Sequence, residues 1–310
     1  MGARRSPKRV RFLICGALHY NLTMRRRLIF PLVCISAAFM LSLPALCQQA
    51  PPASGARTLL LPKRIVSGER ATLAVLDVSG RLTPGVTVTF SNGDKLKTDA
   101  TGRALFVAPL TLGVLFASIV GRPGRVPTAV VSAEENSTSA IEITSAPRVA
   151  SLTDRIEIAG RGFCGDADAN QVTIRGKSAL VLASSSNSLE VLPTVELEPG
   201  PAEVRIACAK KTAPVFSLTL LALQLDADTS PLTTGEHRTL TVRITGTPLK
   251  VNLEARNLAP DIAELTGGNP VRLFSSGGIE NLARFEIVGR KRGSFLLSIH
   301  LLSPPAPIHP

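Results

Sequence analysis

Between residues 58 and 302, short runs of alternating apolar and polar side chains are separated by turn residues that recur roughly every 8 to 12 positions. That spacing constrains the fold more than any other feature. A period of two puts successive side chains on opposite faces of an extended strand, whereas a helix needs apolar residues three and four apart over about ten or more positions. No long amphipathic helix of that kind is written after residue 57. The expectation is an all-β protein, with 24 Gly and 23 Pro as turn punctuation and a composition, 45% hydrophobic and 19% charged, too apolar for disorder.

Two polar clusters, residues 134–139 and 226–231, divide the pattern into segments 58–133, 140–224 and 225–302. Each has roughly 80 residues, the size of a small β-sandwich whose two sheets bury alternate side chains between them. Residues 48–57 read as a Pro-rich polar linker, and residues 303–310 as a tail that ends the fold. In the first segment residues 71–77 alternate as a half-buried strand does, Val86, Val88 and Phe90 alternate with Thr87 and Thr89, and Asn92-Gly93 is a hairpin turn. In the second, Ile156 and Ile158 face the core, Gly160 and Gly162 supply turn freedom, and Phe163 closes the core. Residues 239–244, 249–255, 283–287 and 295–299 alternate in the third.

The order Leu76-Asp77, Gly80, residues 84–90, Thr98-Asp99 and Gly102-Arg103-Ala104 resembles bacterial Ig-like domains of the invasin and intimin type over most of residues 65–130. Pro147-Arg148-Val149, followed by residues 155–163, 172–176, 189–192 and 199–206, resembles an IPT/TIG domain, the Ig-like fold of cell-surface receptors, transcription factors and many bacterial exported proteins. It departs from that pattern at Thr153-Asp154, where the turn usually carries glycine. The third segment resembles no family, and a sandwich there rests on pattern and length. Together the resemblances imply tandem Ig-like β-sandwich domains in a bacterial exported protein.

Export has its own signal. Arg25, Arg26 and Arg27 precede residues 28–46, nineteen positions without a charge, and then comes Cys47. This is the layout of a secretory signal peptide over residues 1–47, with Ala45 and Cys47 as the small residues before a cut ahead of Gln48. Met24 is an alternative start that gives the leader ordinary proportions. An uncleaved anchor is the rival, although Pro31 and Pro44 interrupt its helix, and lipidation of Cys47 is a third option against which the bulky Leu46 counts. Eight of the 35 Lys and Arg and none of the 23 Asp and Glu lie in residues 1–47, so residues 48–310 carry 27 basic against 23 acidic groups, +4 rather than +12. No basic footprint for nucleic acid remains, and no membrane span is expected after cleavage. Cys15, Cys34 and Cys47 leave with the leader, so Cys164 and Cys208 are expected to form one disulfide in an oxidising compartment. Without a Cys-x-x-Cys spacing and with His237, His300 and His309 scattered, zinc is not expected.

Asp166, Asp168 and Asn170 set oxygen-bearing side chains at alternate positions, as a calcium loop does, but Gln171 and Lys177 stand where an EF-hand has Gly and Glu. A solvated loop is the alternative. Arg290-Lys291-Arg292, bracketed by Gly289 and Gly293, reads as a charged hairpin turn or as a contact for an anionic surface. Residues 184–188 are a serine-rich loop without a nearby histidine to act as base. Asn136-Ser137-Thr138 matches a glycosylation sequon, which the bacterial resemblances disfavour. Ser-x-x-Lys, Gly-x-Ser-x-Gly, His-Glu-x-x-His and phosphate-cradling glycine motifs are absent, so no catalytic residue and no cofactor is expected.

The expectation is a non-enzymatic binding, adhesion or spacer protein, periplasmic, at the cell surface or extracellular. Its partner would be a protein or polysaccharide of the envelope, met by loop tips and sheet edges. Residues 166–170 are the first choice among loops, because a disulfide tether reduces the entropy lost on binding. The alternative is an accessory carbohydrate-binding module of an extracellular enzyme system. With no Trp, one Tyr and 4% aromatic residues it lacks stacking platforms, so that role needs an exposed groove lined by polar side chains.

Overall fold

A computed structural model describes residues 9–14, 57–133, 140–226, 230–302 and 306–307, and among them regular structure is extended strand with short 3-10 turns. The architecture is all-β, as tandem Ig-like sandwiches. In the first, one sheet contains Thr58–Leu60, Arg70–Leu76 and Arg103–Val107. The facing sheet runs Arg64–Val66, Val126–Val131, Gly113–Ile119, Thr87–Phe90 and Lys95–Lys97. Val88 and Phe90 are buried while Thr87 and Thr89 are half-exposed, as the alternation requires. Phe90 meets Phe106 across the sandwich at 5.0 Å between ring centroids. Gly93, at φ 97°, turns the hairpin to Lys95–Lys97.

The second sandwich sets Glu142–Ala146, Ile156–Arg161, Ser188–Leu192 and Leu180–Ser185 against Val149–Ser151, Phe216–Asp226, Gly200–Cys208 and Asn170–Ile174. Ile156, Ile158 and Phe163 are buried in its core. Gly160 is there for space rather than turn freedom. A Cβ on it would stand 2.1 Å from the Glu142 carbonyl oxygen and 2.7 Å from the Phe163 ring, while Gly162, at φ 77°, makes the turn.

The third sandwich packs Asn252–Asn257, Val271–Phe274 and Ser294–Leu301 against His237–Thr245, Asn281–Gly289 and Ala263–Leu265. Phe216–Asp226 belongs to two sandwiches: residues 216–220 pair with Gly200–Cys208, and residues 222–226 pair with His237–Thr245. A strand therefore runs unbroken across the division expected at 224/225. Arg290-Lys291-Arg292 is not a hairpin turn, because the strands it joins lie in different sheets. The Arg290 and Lys291 amides donate to the Ile262 carbonyl at 2.8 and 3.0 Å, which pins the link across the sandwich.

Both ends of the chain add backbone pairings. Arg9–Ile14, inside the expected leader, lies parallel to Ser294–Leu301 and antiparallel to Leu232–Thr233, while residues 28–46 lie outside the described residues. Ala306–Pro307 pairs with Glu142–Ala146, so residues within the expected tail extend a sheet instead of ending the fold.

The first and second sandwiches are fused side by side. Thr72 pairs with Ser184, joining Arg70–Leu76 and Leu180–Ser185 in one continuous sheet. Leu60, Ala74 and Leu76 from one side and Leu182 and Ala183 from the other form a small apolar core of their own. This corrects the half-buried strand expected at residues 71–77: residues 71–76 are buried on both faces, because the face alternation leaves open is covered by the neighbouring sandwich.

Candidate functional site

Cys164 and Cys208 are joined as a disulfide, with their Cα atoms 5.8 Å apart. Cys208 stands opposite Asn170 in the antiparallel pair of Gly200–Cys208 and Asn170–Ile174, which brings the two cysteines together. The bridge anchors residues 164–170, the loop that holds all three oxygen donors expected of a calcium site.

Those donors do not converge. Asp166 accepts the Asp168 amide at 3.0 Å and caps the short turn Ala167–Ala169. Asn170 closes the loop on itself, donating to the carbonyls of Cys164 and Asp166 at 2.8 and 2.9 Å and accepting the Cys164 amide at 3.0 Å. Asp168 turns to the first sandwich, where Arg103 Nη1 lies 2.7 Å away with a side chain only 10% exposed. Among the described residues no group of three His, Cys, Asp or Glu side chains is gathered to hold a metal ion.

The loop is a seam rather than a free tip. Thr72 Oγ1 donates to the Gly165 carbonyl at 2.8 Å and accepts the Ala167 amide at 3.0 Å, and Ser184 Oγ shares the same carbonyl at 2.8 Å. Arg103 Nη1 also donates to the Val181 carbonyl, and Ser185 Oγ to the Arg64 carbonyl. Residues 184–188 are accordingly not an exposed serine loop: they form a tight strand connection in which every residue is at most 6% exposed. Lys63 and Glu157, 2.5 Å apart, extend the same contact. Burial raises the pKa of the neighbouring Glu190, and Arg155 opposes the shift.

A second junction escaped sequence reasoning. Asp154, in the turn before Ile156–Arg161, meets His300 Nδ1 at 3.2 Å and accepts the Leu301 amide at 3.3 Å. His300 Nε2 in turn meets Ser298 Oγ. The hydrogen bond to Asp154 holds the imidazole above its usual pKa, against the opposing effect of partial burial. Alternation on Ser294–Leu301 puts Ser298 and His300 on one face, opposite Arg256 and Glu254 of Asn252–Asn257. The order Ser, His, Asp is that of a nucleophilic relay. The adjacent depression, however, is lined by Pro147, Val149, Asp154, Arg155 and Leu301 but by neither Ser298 nor His300, so a molecule seated there does not reach the hydroxyl. The chain of hydrogen bonds acts as a clasp between the second and third sandwiches. Its partners are 146 residues apart, and no local motif marks them.

No protein-family profile matches this chain, and no curated protein matches it. Among solved structures it is similar to domains 1–6 of the surface layer protein SbsC, at 12% identity and a TM-score of 0.20, over 82% of this chain and 39% of that one. It is similar to the Bacteroides ovatus mixed-linkage glucan utilization locus protein SGBP-B, in complex with a mixed-linkage heptasaccharide, at 11% identity and a TM-score of 0.29, over 84% and 76% of the two chains. The four N-terminal Ig domains of Dscam1 isoform 6.9 give 12% identity and a TM-score of 0.22, over 76% and 72%. This chain thus spans about two fifths of the surface layer protein it resembles. The disulfide fits an exported protein. Among the described residues no helix is long and apolar enough to cross a membrane.

Proposed function

We propose that this protein is an exported, non-enzymatic binding, adhesion or spacer protein, in which invasin-type, IPT/TIG-type and third Ig-like sandwiches act as one rigid array. The observation that carries this reading is the use made of the polar side chains. Thr72, Arg103, Asp168 and Ser185 hold the first sandwich to the second, and Asp154 and His300 hold the second to the third. Fixing the sandwiches against one another removes hinge freedom, so the array presents its outer surfaces at set separations and binding costs less ordering entropy.

The test is to isolate the native protein from cell fractions, determine its N-terminus by mass spectrometry, and cross-link it in the intact envelope. The expected result is a chain beginning at Gln48, recovered outside the cytoplasm and cross-linked to an envelope component, with no turnover of esterase, glycosidase, peptidase or phosphatase substrates. Cytoplasmic recovery overturns export. Turnover abolished by Ser298→Ala overturns the non-enzymatic reading.

A further inference from the structure

The end of the first sandwich farthest from its apolar 109–112 loop carries a feature that neither seam uses. Gly113–Ile119 and Val126–Val131 are antiparallel neighbours, joined by Val120-Gly121-Arg122-Pro123-Gly124-Arg125. Gly121 and Gly124 take φ values of 76° and 104°, a conformation L side chains rarely adopt, and so bend the connection tightly. Beside this turn and the start of Thr58–Leu60 is a cleft of about 420 Å³, lined among others by Arg57, Arg122, Arg125, Leu59, Ile119 and Val126.

Three arginines border the cleft, and among the described residues no Asp or Glu does. Residues 104–121, which lead into the turn, contain no charged side chain at all. Arg125 lies with its guanidinium 6.0 Å from the Phe116 ring centroid, a contact that orients the planar group without neutralising it. Arginines bordering one open cleft favour an anion within it. Guanidinium forks match the paired oxygens of carboxylate, sulfate and phosphate. The cleft falls within the size range of small-ligand sites, roughly 300 to 1,000 Å³, and large enough for one charged sugar unit with its chain continuing outside. The cleft sets three arginines beside the apolar side chains of Leu59, Ile119 and Val126, so charge rather than aromatic stacking would hold a carbohydrate there. A nucleic acid is the weaker fit, because Phe116, the ring beside the arginines, already faces the Arg125 guanidinium and does not line the cleft.

We propose that the cleft formed by Arg57, Arg122 and Arg125 binds the acidic groups of an anionic polysaccharide. This rests on the reading of the protein as an exported binding module, and deepens it by naming the site and the ligand class. Electrophoresis of the intact protein through gels containing polygalacturonate, chondroitin sulfate or neutral β-glucan provides the test. The proteins compared are wild type, the triple variant Arg57→Gln, Arg122→Gln, Arg125→Gln, and a charge-matched control with Arg243→Gln, Arg272→Gln and Arg284→Gln at exposed positions on the two sheets of the third sandwich. Arg122→Glu alone serves as a second cleft variant.

Both acidic polymers are expected to retard the wild type and the control, with about tenfold or greater weakening in the cleft variants, as loss of charge-assisted bonds implies. Retardation is expected to fade as salt is raised from about 0.05 M to 0.5 M and the screening length shrinks. Neutral glucan is expected to have no effect. Equal losses in the cleft variant and the control overturn the site, as does equal retardation by neutral glucan. Inorganic phosphate or monomeric galacturonate binding as tightly as polymer overturns the polysaccharide assignment. A protein that ignores the acidic polymers but is recovered at the envelope with Gln48 at its N-terminus loses this inference alone, leaving the broader reading intact.

Discussion

Gly165→Ala is the sharpest probe of the fused sandwiches. A Cβ at this position would lie 1.8 Å from the Arg70 carbonyl oxygen and 2.5 Å from its carbon, atoms of the neighbouring sandwich. Carbon and oxygen come no closer than about 3.3 Å in relaxed contacts, so the added methyl forces the seam open by roughly 1.5 Å. Neither partner is flexible side chain, so the strain falls on the packing of the two sandwiches. An opening of that size stretches Thr72 Oγ1 to the Gly165 carbonyl, the Ala167 amide to Thr72 Oγ1, and the Arg103–Asp168 pair beyond bonding distance. At about 0.5 to 1.5 kcal/mol each, these contacts total roughly 1.5 to 4.5 kcal/mol. The lower unfolded-state entropy of alanine offsets about 0.4 to 1 kcal/mol of this, leaving a loss of about 0.5 to 4 kcal/mol, confined to docking. Calorimetry should show the variant melting earlier or in separate steps, and hydrogen exchange should quicken at Ala167 while core amides such as Val88 stay protected. Unchanged melting and unchanged exchange at Ala167 would show that the seam accommodates a methyl, contrary to the 1.8 Å approach of the Arg70 carbonyl oxygen.

Three further outcomes are expected. Replacing Cys164 and Cys208 together by Ala removes a constraint over a sequence separation of 44 residues, which lowers stability by about 4 kcal/mol in the chain-entropy description; thermal melts of oxidised, reduced and variant protein measure it. Because Asp154 raises the pKa of His300, with Arg155 opposing and Glu254 reinforcing the shift, the clasp contributes fully below the ordinary imidazole value and is lost as pH rises through the raised one. Exchange of the Leu301 amide, divided by its intrinsic base-catalysed rate, should accelerate over that rise, and His300→Gln should remove this added acceleration. Glu236 accepts the Thr233 amide and pairs with Arg238, which lowers its pKa to about 2. Its contribution is therefore present above the ordinary carboxylate value and lost as pH falls through about 2, and a carboxyl NMR titration with a midpoint near 4.5 would contradict it.

The all-β class, strands such as Thr87–Phe90 and Ile156–Arg161, and the cysteine pair are legible in the residue pattern alone. Val88 and Phe90 alternate with threonines, and Ile156 and Ile158 flank Glu157, so the buried face of each strand follows from neighbours two positions apart. The Cys164–Cys208 pairing was legible by elimination, since the other cysteines precede residue 48. Tertiary structure alone decided what the polar residues do. Asp166, Asp168 and Asn170 have the spacing of a ligand loop, yet whether their oxygens converge depends on Arg103 from another sandwich and on an amide two positions away. Residues 184–188 read as a loop from their serine content, but Ser184 pairs with Thr72 across the seam and Ser185 Oγ donates to the Arg64 carbonyl there. Asp154 and His300, and likewise Arg57 and Arg125, come together only because sheets stack and strands pair over long separations. Strand periodicity is a local property of the chain, since it reports only which face of a strand a side chain occupies. Which surface covers that face is set by the packing of whole sandwiches, where the contacts come from residues roughly a hundred positions apart and no local pattern records them.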